Sequence, residues 1–281
     1  MESARGRQRA EIPADVGGAS SACDRLVSSV NMRNPFLLLQ SRDAKDPMRA
    51  HEIECFSASL GVPASGIVVV DMLQRVPTRD ELRSSGAVLM GGSGDYSSLD
   101  PYPWIGRMVE YVREQLIPSG VPTFGSCFGL QVTTLALGGE MMRDPAHREV
   151  GSIDLTVSSA AAGDPLFAPL PSMFVGQAGH TDRAVRLPPG ATLLATSAMC
   201  PVNAFRVDGR PYWACQFHPE LDPDAVAKRY MAYMEKYPPT DLPPGTPLSE
   251  APFLKKLRSS PHATRLLQRF AQLCRVHSLT R

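Results

Sequence analysis

The 281-residue chain has no apolar run long enough to span a bilayer. Its longest aliphatic runs, Phe36 to Leu39 and Ile67 to Val70, fall far short of the ~20 consecutive apolar residues such a helix requires. It has no excess of charge: 29 basic side chains face 28 acidic ones, which argues against charge-driven association of the whole chain with nucleic acid or a membrane surface. It has no C-x-x-C pair. The six cysteines, at 23, 55, 127, 200, 215 and 274, are too sparse for a disulfide framework and read mostly as small buried hydrophobes. The first residues mix Arg5, Arg7 and Arg9 with Glu2, Glu11 and Asp15 and contain no apolar core, so no secretory signal is read and a cytoplasmic protein is expected. No internal repeat is visible.

What is present is an ordinary globular composition, 43% apolar and 20% charged, with length for one sizeable core and appendages. Residues 1–33, rich in Ala, Ser, Gly and Arg without apolar periodicity, read as a disordered tail. From Asn34 short aliphatic runs alternate with amphipathic ones: strands at 36–40, 67–71, 87–90 and 121–125, helices at 47–60, 78–84 and around Trp104 to Leu116. This order predicts βαβ units and a mostly parallel central sheet flanked by helices, an α/β fold. A helix is expected from Cys127 to Leu137. Closely spaced strands near 152–157, 173–177, 192–197, 204–207 and 212–217 suggest an antiparallel extension, followed by a helix at 224–237 that completes a domain over 34–237. Five prolines in residues 238–247 mark a strap. Residues 248–281 form a C-terminal helical segment, in which 251–281 hold seven Lys/Arg and no acid. Its last helix opens at Ser260-Pro261 and carries the stripe Leu266, Leu267, Phe270 and Leu273. The segment reads as a helix docked by that stripe, or as a surface for an acidic partner.

Chemistry concentrates in two places. Gly125-Ser126-Cys127-Phe128-Gly129 reads G-x-C-x-G between a predicted strand and a predicted helix. A nucleophile on so sharp a turn needs glycines on both sides, and the helix N-terminus beyond it favours a thiolate and offers free N–H groups to an oxyanion. A buried cysteine in a Gly-flanked turn has the same pattern. The second place is Gln216-Phe217-His218-Pro219-Glu220. In extended chain i and i+2 point the same way, so an imidazole and a carboxylate stand side by side. By itself a His-x-Glu pair is also a surface pair or half a metal site; no further His or Cys lies at ligand spacing, so no metal is expected.

Together with Gly91-Gly92 after the third strand and Gly179-His180-Thr181-Asp182 followed by Leu187-Pro188-Pro189-Gly190-Ala191, these motifs make residues 34–237 resemble the class I, triad-type glutamine amidotransferases. The likeness is strongest to the glutaminase domain of GMP synthase and its stand-alone relatives. The resemblance implies a flavodoxin-like fold and a Cys-His-Glu triad of Cys127, His218 and Glu220. It implies an oxyanion hole from the N–H groups of Gly92 and Phe128, and a substrate site at Gln131 and at Gly179, His180, Thr181 and Asp182, without a cofactor. The reaction so implied is hydrolysis of the glutamine γ-carboxamide through a γ-glutamyl thioester on Cys127. Relatives specific for free glutamine commonly carry Ser or Asn, His, Gly where this chain has Gly179, His180, Thr181. The S-G-G-x-D-S loop of an ATP-pyrophosphatase is absent, and Met90 to Asp95 matches neither it nor a P-loop. Three readings follow: an amidotransferase that passes ammonia to a separate synthetase subunit, a stand-alone γ-glutamyl peptidase or hydrolase, or a non-catalytic binding or regulatory module that has kept only the fold, which the complete triad disfavours.

Other residues have plainer readings. Trp104 and Trp213 are expected in the core, His51-Glu52 as a surface pair of the first helix beside Arg49, with a role at the site as the minority alternative, and Met231 and Met234 packed on the sheet. Cys215 points away from His218.

Overall fold

The computed structural model describes residues 34–233 and 246–279. The expected tail at 1–33, most of the strap, Met234 and the end of the helix proposed to reach 237 lie outside the described residues. Five strands run parallel in the order β2 (Ile67–Asp71), β1 (Phe36–Gln40), β3 (Ala87–Met90), β4 (Thr123–Ser126) and β11 (Tyr212–Cys215). The inner strands are buried on both faces, which is why β1 reads Phe-Leu-Leu-Leu-Gln and β3 Ala-Val-Leu-Met rather than alternating with polar residues. Edge strand β2 is more open, with Ile67 and Val70 buried, Val68 exposed and Val69 and Asp71 in between.

The sheet continues antiparallel through β10 (Ala204–Val207), β9 (Ala191–Ser197), β6 (Glu149–Val157) and β7 (Met173–His180). This is the flavodoxin-like α/β architecture with the antiparallel extension. Two short strands not foreseen, β5 (Glu140–Arg143) and β8 (Asp182–Arg186), pair separately. Expected strand ends shift as well. The fourth strand starts at Thr123, and the last leaves the sheet at Cys215, after which the Gln216 and His218 N–H groups bond to the carbonyls of Asn203 and Gln177 at 2.7 Å each.

Helices cover both faces. α1 (Met48–Leu60) ends at Gly61, whose φ of 66° provides the left-handed stop. α2 (Arg79–Ser84) begins with a capping box between Thr78 and Glu81. α3 (Pro103–Tyr111) continues through a π-helical stretch (Val112–Leu116) into α4 (Ile117–Ser119). With α5 (Phe128–Ala136) these residues pack Ile105, Met108, Val112, Phe128 and Val132 onto Leu37, Leu39, Val88 and Met90. The alternate side chains Leu38, Leu89 and Phe124 face the opposite side, where α1 packs beside the last helix, α7 (Pro261–Leu279). Phe270 of α7 meets the rings of Phe124 at 5.5 Å and Trp213 at 6.2 Å.

The buried stripe of α7 is Ala263, Leu266, Leu267, Phe270, Ala271 and Cys274. Leu273 is only half-buried, because the i, i+3, i+4, i+7 phase set by Ala263 falls on Cys274 instead. Before α7, the Arg258 carbonyl accepts from Gln177 Nε2 (2.7 Å), and its N–H donates to Ser152 Oγ (2.7 Å), tying this segment to β6 and β7. α6 (Pro223–Tyr233) follows the His218 loop and packs against β6, β7 and α1. Both tryptophans are buried, but Met231 is 47% exposed, since it lies on the outer side of α6.

Candidate active site

The site forms where β4 and β11 end side by side. Cys127 N–H donates to the Cys215 carbonyl at 2.8 Å, and the chain then turns into α5 with φ 51° at Cys127, the one positive φ at a non-glycine among the described residues. Such a conformation costs of order 1–3 kcal/mol and persists only where the surroundings enforce it. The two flanking glycines explain how. A Cβ on Gly129 would lie 2.8 Å from Met90 Cβ, and one on Gly125 would lie 3.1 Å from both the Gly129 carbonyl carbon and Met90 Cε. The helix therefore starts pressed against β3, with Cys127 as its N-cap and the Phe128 N–H in its unbonded first turn.

His218 faces this cysteine from the loop after β11. Its Nδ1 lies 2.7 Å from Glu220 Oε1, and the Cys127 side chain is close enough to favour a proton on the ring. Burial alone would push the imidazolium to lose its proton, but the Glu220 carboxylate and Cys127 outweigh it and hold the ring's pKa up at about 9. Burial likewise opposes charge on Glu220, yet His218 and then Arg229 keep that carboxyl down at about 2. Gln216 places Nε2 3.7 Å from Cys127 Sγ. A Cβ on Gly92 would stand 3.2 Å from His218 Cε1, so the backbone at 92 lies directly against the ring.

A cavity of about 560 Å³ opens over Cys127, lined by Gly92, Gln131, Gly179, His180, Thr181, Asp182 and His218. Gln131 Nε2 donates to the Asp182 carbonyl at 3.3 Å. The His180 ring is held between Glu149 Oε2 (3.0 Å) and that same carbonyl (3.1 Å), and the Asp182 carboxylate pairs with Arg143 at 3.4 Å and the Ser97 hydroxyl.

Several lining residues carried no signal in the sequence reading. Arg42, 1% exposed, pairs with Glu52 at 3.2 Å and Asp46 at 3.1 Å, its pKa raised despite burial by Glu52 and its other acidic neighbours. His51 and Glu52, expected at the surface, are both buried. The Glu52 carboxylate lies where a Gly91 side chain would be, 2.2 Å from the Cβ position, so it supports the loop from beneath. The Arg42–Asp46 spacing of four is the one trace of this cluster in the sequence. Among the described residues no three His, Cys, Asp or Glu side chains converge to hold a metal.

The model of the family described as glutamine amidotransferase class-I matches residues 64–233. Curated relatives include the glutamine-hydrolyzing GMP synthases of Mannheimia succiniciproducens, 33% identical over 146 residues, and Leifsonia xyli subsp. xyli, 36% identical over 147. Each alignment covers 50% of this chain and 26% of the relative. The chain thus matches about a quarter of the length of those relatives.

Among solved structures, a glutamine amidotransferase from Thermotoga maritima superposes with a TM-score of 0.63 at 20% identity, over 86% of this chain and 98% of its own. One from Methylobacillus flagellatus gives 0.61 at 20% identity, over 89% and 95%. At that identity the structures establish the fold, and the family model carries the assignment: the chain belongs to the class-I glutamine amidotransferase family.

Proposed function

We propose that this protein hydrolyses the γ-carboxamide of glutamine with Cys127 as nucleophile, His218 as acid and base and Glu220 as the group that orients His218. The observation that carries this reading is the buried line Cys127–His218–Glu220, with its 2.7 Å imidazole–carboxylate bond, at the floor of a cavity and the head of a helix. Family membership supplies the reaction class.

The Cys127 thiolate attacks the amide carbon, and the N–H groups of Gly92 and Phe128 take up the oxyanion. His218, which holds its proton at neutral pH, gives it to the departing nitrogen, so ammonia leaves and a γ-glutamyl thioester remains. Neutral His218 then removes a proton from water and the hydroxide adds to the thioester carbon; collapse of the adduct breaks the C–S bond, releases glutamate and returns the Cys127 thiolate and protonated His218. Gln131 and the turn from Gly179 to Asp182 hold the glutamyl end of the substrate. The ammonia passes to a separate synthetase chain, by analogy with the GMP synthases, and the cytoplasm is the compartment such a pairing requires.

A second reading is favoured by one observation. A cavity of about 560 Å³ falls in the ~300–1,000 Å³ range of sites for drug-sized ligands, more room than an amino acid fills, and suits a γ-glutamyl peptide or conjugate. Amine and glutamate release from L-glutamine and a γ-glutamyl dipeptide, offered in parallel to the wild type and Cys127→Ala, separates the two. Glutamine turnover that vanishes in the variant supports the first reading, and faster dipeptide cleavage that vanishes likewise supports the second. Turnover of neither, with or without an added synthetase, would overturn both.

A further inference from the structure

The acid–base pair and the loop bearing Gly92 come from different parts of the chain, yet both touch one helix. Arg229 of α6 is 7% exposed, and its Nη1 lies 3.5 Å from Glu220 Oε1 and 3.5 Å from His218 Nδ1. Four residues on, hence on the same face of the helix, Tyr233 bonds through its hydroxyl to Asp46 (2.8 Å to Oδ2) and to Arg42. Arg42 is held in turn by Glu52. The loop lies directly on this cluster: a Cβ on Gly94 would come within 2.8 Å of Tyr233 Oη and 2.9 Å of Arg42 Nη1, and one on Gly91 would overlap Glu52.

We propose that α6 braces the reacting groups: Arg229 is a positioning residue that fixes the Glu220 carboxylate against His218, and Tyr233 is a positioning residue that fixes Arg42 under the Gly91–Gly94 loop. The inference rests on the roles given above to Cys127, His218 and Glu220. A cation 3.5 Å from an imidazole works against a second positive charge on that ring, so stabilising imidazolium does not explain Arg229. It can act on the carboxylate instead. His218 and Arg229 both reach the carboxylate through Oε1, at 2.7 and 3.5 Å, and Glu220 Oε2 has no hydrogen-bond partner among the described residues. With His218 alone the carboxylate could swing about that single bond, and the attraction of the buried Arg229 charge for Oε1, from a second direction, restricts the motion. Burying an arginine is costly unless it is paired, and among the described residues the carboxylate that pairs with Arg229 is Glu220. Tyr233 has the equivalent task at the other end of the helix: its hydroxyl bonds both members of the Arg42–Asp46 ion pair and so ties that pair to α6.

The test uses the full chain with Arg229→Met, Arg229→Lys and Tyr233→Phe, after thermal unfolding has shown which variants fold. A displacement of about 1 Å in a reacting group costs on the order of 10²-fold in rate. Arg229→Met is therefore expected to lower kcat for the preferred γ-glutamyl substrate by about 10- to 100-fold with KM within about twofold. Arg229→Lys should recover most of that loss, and Tyr233→Phe, which removes only a hydroxyl, should lower kcat severalfold.

A second measurement needs no substrate: exchange of the His218 Nδ1–H with water, followed by proton NMR below pH 9. It should be at least about tenfold faster in Arg229→Met than in the wild type or Arg229→Lys. Unchanged exchange in Arg229→Met would overturn the role of Arg229, as would unchanged kcat with a large rise in KM, which would make it a substrate ligand. Unchanged kcat in a folded Tyr233→Phe would overturn the role of Tyr233. If the wild type turns over no γ-glutamyl compound, the proposed function fails, while the exchange measurement still decides whether Arg229 orders the pair.

Discussion

Replacing Glu220 by Gln keeps the shape of the side chain and removes the charge that holds the His218 proton. The ring's pKa stands at about 9 in place of 6.5, with Glu220 the leading influence against burial, a difference of about 3 kcal/mol between the two protonation states. At pH 8 a ring with a pKa of 9 is roughly 90% protonated, and one returned to 6.5 is roughly 3% protonated. Protonation alone thus lowers the turnover of Glu220→Gln by up to about 30-fold at pH 8, and much of that loss is recovered at pH 6. The assay is ammonia release from glutamine across pH 5 to 10 in both proteins. The alkaline limb of kcat/KM should fall near pH 9 in the wild type and more than one pH unit lower in the variant. If Glu220→Gln keeps its limb near pH 9, Glu220 does not hold that proton and the assignment of the pair is wrong.

The same pair gives wild-type stability a pH window. The raised His218 contributes fully below pH 6.5 and loses its contribution as pH rises through about 9, and the depressed Glu220 contributes above pH 4.5 and loses it as pH falls through about 2. The wild-type Tm should therefore gain most over Glu220→Gln between about pH 4.5 and 6.5, and a pH-independent difference would contradict this. Gly91→Ala forces its Cβ onto a Glu52 carboxylate that Arg42 and Gln40 hold at 3.2 and 3.1 Å; a cost of about 1–3 kcal/mol and reduced kcat are expected, read by denaturant unfolding and glutamine assay. Gly179→Ser meets open space and, combined with Thr181→Gly, should leave Tm unchanged and lower KM for free glutamine; a higher KM would show that the turn does not face the substrate. Phe270→Ala empties a fully buried position between Phe124 and Trp213, and a loss of about 3–5 kcal/mol is expected in denaturant unfolding. A loss under 1 kcal/mol would mean that α7 is not part of the core.

The parallel strands were legible because burial on both faces writes itself as uninterrupted aliphatic runs, as in Phe36–Leu39 and Ala87–Met90. The G-x-C-x-G turn was legible for a related reason, since its glycines are required by contacts of 3 Å or so with β3. β5 and β8 escaped notice because Glu-Met-Met-Arg and Asp-Arg-Ala-Val-Arg are short and carry charge at alternate or end positions, the pattern of a two-stranded pair with one side in solvent. Leu273 was misplaced because a leucine outweighs a cysteine in any apolar count, although the helix phase favours Cys274. The platform under the loop was invisible for a different reason. Arg42, Glu52, Arg229 and Tyr233 are polar side chains that read as surface, and they are buried only because folding brings segments 191 residues apart together, as in the bond between Arg42 and Tyr233. Nothing local in the sequence encodes that pairing.

The central claim is that Cys127 carries the glutamyl group. It is tested most directly by mixing the protein with glutamine or a γ-glutamyl dipeptide, quenching with acid during turnover, and mapping the peptides by mass spectrometry. A γ-glutamyl adduct on the peptide containing Cys127, absent in Cys127→Ala, is the expected result. Turnover that persists in Cys127→Ala with no adduct on that peptide would contradict the account.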